Sequence, residues 1–247
     1  MRTDRFELDV DGKSTVVAAA AGKKRPAFIL VNDDDLTYTK LRFDADSLSF
    51  ALANLQRFDD ALARAVVWLS LWDMTRDGDL AAEKFMTRRW RCSPPRPSPP
   101  LRYALSCMST TAWHYTAPDR RADVVKHVAK ELWKLVIAAP GGSDQQFQLV
   151  TAYLGYGEEG DAEFAEHAQG LFDGSLIVAG LEIDNNFTWT IINALSSVKL
   201  IDQAGIDAQL AKRDTTENRE FALGAHAVRG DAAAKEWAWN EALNTPT

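Results

Sequence analysis

Cysteine is nearly absent from this chain, and its scarcity removes a class of folds. Cys92 and Cys107 are the only two; they cannot build a disulfide framework, so a packed core must hold the molecule together. Apolar runs are short, and none approaches the 18 or more residues of a membrane span. No cationic and apolar leader opens the chain. Positive charge is also in deficit: 28 Lys and Arg against 35 Asp and Glu give a formal net charge of -7. This balance argues against general affinity for nucleic acid or acidic membrane surfaces. The expected setting is the cytoplasm, with reduced thiols. Histidine is scarce as well, with four in all. His114 precedes Tyr115, His127 precedes Val128, and His167 and His226 both precede alanine. The helical zinc motif H-E-x-x-H, which needs two imidazoles four residues apart with glutamate after the first, is therefore missing.

What is present is a change of period. At 247 residues the chain can bury roughly 70 to 75% of its unfolded surface, enough for a sizeable core. Phe6, Leu8 and Val10 alternate with polar neighbours, Asp11-Gly12 offers a hairpin turn, and Thr15-Val16-Val17 reads as a returning strand. Phe28 and Leu30, then Tyr38 to Phe43, continue the two-residue period, interrupted by turn chemistry at Asn32 to Asp35. From Asp46 the spacing becomes helical, with Leu48, Leu52 and Leu55 in register and Asp46 or Ser47 as the N-cap. Residues 1–45 thus read as a β-strand remnant and 46–247 as a helical domain.

Within the helical part, Asp59 or Asp60 caps a helix carrying Leu62, Val66, Leu69 and Trp72 on one side, ended by Gly78. Leu80 to about Arg91 reads as another helix. Pro118 opens a long one striped by Val124, Val125, Val128, Leu132, Leu135 and Val136, and Pro140-Gly-Gly142 closes it. Ser143, Asp161 and Asp184 cap three more, and two further helices span about Thr215 to Val228 and Asp231 to Leu243. Helix pairs recurring every 30 to 45 residues suit an irregular HEAT-like α-solenoid, with a helical bundle as the rival. Residues 88–106 break the pattern: five of the nine prolines fall between Pro94 and Pro100. An extended polyproline loop, a P-x-x-P recognition segment flanked by arginines, and a shifted reading frame all fit that composition.

Few residues carry a case for chemistry. Glu163, Glu166 and His167 lie within about one helical turn and are a candidate metal group, although an exposed polar face explains them more simply. Asp33, Asp34 and Asp35 lack the alternation, glycine and distal glutamate of a calcium loop and read as a solvated turn. Gly141-Gly142 and Gly155-Tyr-Gly157 have no phosphate-loop context and read as helix stops. Trp68, Trp72, Trp133, Trp189, Trp237 and Trp239 sit on helical patterns and are expected in the core. No catalytic or metal residue is assigned, and the residues reads leave any substrate-binding position unknown.

Several stretches carry a resemblance. Val31 to Asp44, Trp72-Asp-Met-Thr-Arg-Asp77, Asp184-Asn-Asn-Phe-Thr-Trp189, Arg213-Asp-Thr-Thr216 and Lys235-Glu-Trp-Ala-Trp239 together resemble the bacterial, especially actinobacterial, aminopeptidase N zinc metallopeptidases. The match falls where a small β-sandwich hands over to the C-terminal helical domain. Related chains often have arginine before the tryptophan; here Thr188 stands there. The family's G-x-M-E-N motif is missing, since no methionine precedes glutamate. The resemblance implies a non-catalytic C-terminal portion, incomplete at its end, that encloses the peptide chamber of a whole enzyme. Zinc, peptide substrates and the catalytic partner would belong to that enzyme. The rival is a free-standing helical-repeat scaffold that binds a protein partner.

Overall fold

A computed structural model describes residues 3–87 and 101–244. It is mainly helical, with eleven α-helices among the described residues. Two compact units divide the chain, residues 1–99 and 100–247.

The first unit holds α1 (Ala45–Asn54), α2 (Ala61–Arg76) and α3 (Ala82–Thr87). The strands expected before residue 45 are not formed: among the described residues none lies in a strand, and these segments run as turns and irregular backbone. Alternation alone cannot make a sheet, because a lone strand pair is marginal in water and further strands must supply the ladder. The Asp11-Gly12 turn closes instead through a side chain, Thr15 Oγ1 accepting from Asp11 N and donating to Asp11 O, both at 3.0 Å. Alternation survives as side-chain placement. Leu41 is buried, while Lys40 and Arg42 reach Asp77, and Arg42 also reaches Asp79, beyond the end of α2.

Asp44, rather than Asp46 or Ser47, caps α1, accepting from the backbone N–H groups of Asp46 and Ser47. Phe28 meets Phe43, Phe50 and Phe58 at ring separations of 5.6, 5.8 and 5.0 Å. Asp60 caps α2, which is buried on several sides through Val66, Val67, Trp68, Leu71, Trp72 and Met74. Leu62 and Leu69 face outward, so the expected stripe is rotated; the rings of Trp68 and Trp72 against Phe85 of α3 set that rotation. The Pro94 to Pro100 run lies outside the described residues. The end of the anomalous stretch is helical, because Leu101 opens the next helix.

The second unit comprises α4 (Leu101–Thr110), α5 (Pro118–Ala138), α6 (Asp144–Leu154), α7 (Ala162–Asp173), α8 (Asn185–Ser197), α9 (Gln203–Lys212), α10 (Thr216–Val228) and α11 (Ala232–Asn244). A π-helical turn, Thr111–Tyr115, follows α4. Pro118 occupies the first turn of α5, where its missing N–H costs nothing, and the valine stripe is buried against α6. Ser143, Asp161, Asp184, Asp202 and Thr215 cap α6 to α10 in turn through side-chain oxygens. Gly141-Gly142 does more than stop α5. A Cβ at Gly180, whose φ is +78°, would sit 2.4 Å from Gly141 C, so the two backbones touch only because both are glycine. Gln146 ties this crossing, accepting from Gly142 N–H and donating to Ala179 O.

Helices pack in chain-adjacent pairs, α5 on α6, α7 on α8 and α9 on α10, while α6, α8 and α10 also meet side by side. Trp189, Ile192, Ile206, Ala222 and Ala225 form a buried cluster under this layer, with Phe172, Ile201, Leu210 and Phe221 packed on it.

Candidate functional site

Two segments distant in sequence converge at the N-termini of α8 and α10. Asp184 Oδ1 accepts from Phe187 N–H at 2.8 Å and opens α8; Thr215 Oγ1 accepts from Asn218 N–H and opens α10. Between them, Asn185 Nδ2 donates to Asn218 Oδ1 at 2.8 Å, and Asn218 Nδ2 donates to Arg213 O at 2.7 Å. Asn186 Nδ2 reaches Glu217 Oε1. Thr188 turns its hydroxyl back to Asp184 O. The bonding here is structural: it joins two helix starts and satisfies the fully enclosed Asn218.

One turn further along, the same helices frame a groove of about 320 Å³. Asn186, Trp189, Thr190 and Asn193 recur at three and four residues on α8 and so share a face. Glu220, Phe221 and Gly224 face them from α10, and Thr151, Leu154 and Gly155 close the α6 side. The Trp189 and Phe221 rings stand 6.3 Å apart. Glu220 is the only charged lining residue among the described residues. Sequence reading assigned Trp189 to the core and did not single out the groove; its one local hint was a glycine, Gly224, inside a helical pattern.

The other candidate groups resolve separately. His167 Nδ1 is bonded to the Tyr153 hydroxyl at 2.9 Å, and its ring stacks on Trp133 at 4.0 Å and 20°. Burial lowers the His167 pKa, against the upward pull of Glu163, Glu166 and Asp161. Burial also raises the Tyr153 pKa, helped by Asp161 and Glu163. Glu163 and Glu166 stay exposed. Among the described residues no group of three or more His, Cys, Asp or Glu is placed to hold a metal ion. Asp33 to Asp35 form a 3-10 turn after left-handed Asn32, whose side chain bonds both N–H and C=O of Thr37; Arg5 pairs with Asp34. Of the six tryptophans expected inside, Trp68, Trp72 and Trp189 are buried and Trp133 and Trp237 half-buried. Trp239 is 68% exposed, a correction: α11 buries only Ala234 fully, leaving the opposite face without covering helices among the described residues.

A family model described as the ERAP1-like C-terminal domain matches residues 28–247. The chain belongs to that family. It is also 32% identical over 246 residues to the aminopeptidase N of Streptomyces lividans. That alignment covers 99% of this chain and 28% of the relative, so the chain spans little more than a quarter of that protein's length. The family match takes in both segments joined at Asn218 and every residue lining the groove. A zinc site has no ligand set among the described residues.

Proposed function

We propose that this chain is the non-catalytic C-terminal portion of an aminopeptidase N-like zinc metallopeptidase. It encloses the active-site chamber and controls the access of peptides whose N-terminal residues the whole enzyme removes. The carrying observation is that almost the entire chain aligns with 28% of an aminopeptidase N, while H-E-x-x-H is absent. Zinc and peptide hydrolysis then belong to the catalytic part, which is the partner of this chain. Cytoplasmic location goes with this reading, and among the described residues no helix is long and apolar enough to cross a membrane.

Exposed apolar side chains support it. Val10, Val16, Leu36 and Tyr38 are 71%, 88%, 74% and 109% exposed. In this reading residues 1–45 are the last strands of a β-sandwich, and their ladder forms on strands that precede them in the whole enzyme. The pairing of α5 with α6, α7 with α8 and α9 with α10, with α6, α8 and α10 side by side, supports the reading of this part as a HEAT-like solenoid. Trp239 and Leu243 are exposed one turn apart on α11 and offer the face on which a longer helical domain continues.

The test is hydrolysis of a chromogenic aminoacyl substrate by the chain alone and mixed with a catalytic fragment of the family, with zinc quantified in each sample. Silence alone and enhanced turnover in the mixture is the expected result. Activity with stoichiometric zinc in the chain alone overturns the reading, and silence in both transfers the weight to a helical scaffold.

A further inference from the structure

The geometry points to the groove between α6, α8 and α10 as a binding site for a basic side chain of a peptide. Three observations meet there. The first is charge: Glu220 supplies a carboxylate, Glu217 stands one turn away bonded to lining residue Asn186, and among the described residues no lysine or arginine lines the groove. The nearby Arg219 is occupied, its guanidinium donating twice to Asp214 at 2.6 and 2.9 Å. The second is the walls. Half-buried Phe221 presents aromatic surface beside that carboxylate, backed by the buried Trp189 ring 6.3 Å away, and an aromatic face next to a carboxylate is the combination that holds a guanidinium or ammonium head while its methylene stem lies along the ring.

The third is space. Gly224 lies inside α10, where glycine costs about 1 kcal/mol against alanine. Packing does not demand it, since an added Cβ would meet nothing closer than Asn193 Nδ2 at 3.9 Å, and its φ is ordinary for a helix. Its missing side chain leaves the groove open instead. In addition, the Trp189 indole N–H is buried and has no acceptor among the described residues. That N–H has no accessible surface, so it is not a ligand contact, and a peptide rather than a free cation is the source that the chamber-wall reading supplies. Glu220 therefore fixes the head and Phe221 holds the stem.

This inference deepens the chamber-wall reading, yet it is tested on the full chain without any catalytic fragment, so either can fail alone. The probe is N-acetyl-arginine-N-methylamide, titrated by NMR beside its norleucine counterpart and n-butylguanidinium. Saturable binding in the roughly millimolar range suits one side chain, and the norleucine and butylguanidinium probes should bind about fivefold more weakly or worse. Glu220→Gln should weaken the arginine probe about tenfold, and Gly224→Leu should abolish binding by filling the groove. Circular dichroism and melting confirm that both variants remain folded; if Gly224→Leu does not fold, Glu220→Gln alone decides. Equal binding of the norleucine probe, or an unchanged Glu220→Gln titration, overturns the proposal. Equal binding of butylguanidinium overturns its peptide part.

Discussion

Asn218 is enclosed to 1% exposure, and its amide serves Asn185 and the Arg213 carbonyl while its own N–H takes the Thr215 cap. Asn218→Ala removes the donor to the Arg213 carbonyl and the bond to the Asn185 amide, and should lower unfolding free energy by about 2 kcal/mol in a urea titration. Asn218→Asp, which keeps an acceptor and loses the donor, should not rescue it. His167 gives a pH signature. Its folded pKa lies below the ordinary 6.5 because burial disfavours the cation, so the unfolded chain binds the proton more readily. The stability it contributes is present above about pH 6.5 and declines as pH falls below that value. Thermal melts between pH 7.5 and 5 should show the decline, and His167→Phe should flatten it. Asp44 behaves with the same sign in another window. Its pKa is held at about 2 by the Ser47 hydroxyl and N–H and by Arg25, so its contribution is lost as pH falls from about 3.8 toward 2.

At the scale of elements, two glycines make opposite predictions from one measurement. Gly224→Ala adds a methyl group to open space in α10 and should stabilise the chain by about 0.5–1 kcal/mol. Gly180→Ala puts one against the Gly141-Gly142 backbone at a positive φ and should destabilise it by more than about 2 kcal/mol, read from melting midpoints. Helix ends were the legible part of the sequence. The caps at Asp60, Ser143, Asp161 and Asp184 announce themselves because a short polar side chain bonds its own backbone, a local interaction that needs no partner. Helix α9 was not read, although Asp202 caps it, because only Ile206 is buried and no stripe marks its face. Helix α4 was obscured by the prolines before it. The expected strands are not formed among the described residues for the complementary reason, since a ladder depends on residues far away in sequence. The groove was illegible for the same cause: it needs Trp189, Glu220 and Gly155 from three helices, and sequence spacing reports only on one helix at a time.

For the whole molecule, the exposed apolar side chains before α1 carry the main prediction. Val16, Leu36 and Tyr38 are more exposed than isolated surface residues need to be, and such surface drives association. Sedimentation of the purified chain should show concentration-dependent self-association, and the triple change Val16→Lys, Leu36→Lys and Tyr38→Lys should suppress it while the melt stays within about 0.5 kcal/mol per substitution. Two of the segments that carry the family resemblance, Asp184 to Trp189 and Arg213 to Thr216, meet at one place in the fold, through Asn218. The second unit has a mechanical consequence as well. Each of its helices rests mainly on those one or two places away along the chain, so little of the unit depends on closing long loops. Drawn out from its C-terminal end in an optical trap, it should yield α11 first and then surrender its helices in successive short rips, refolding between pulls from whichever pair remains.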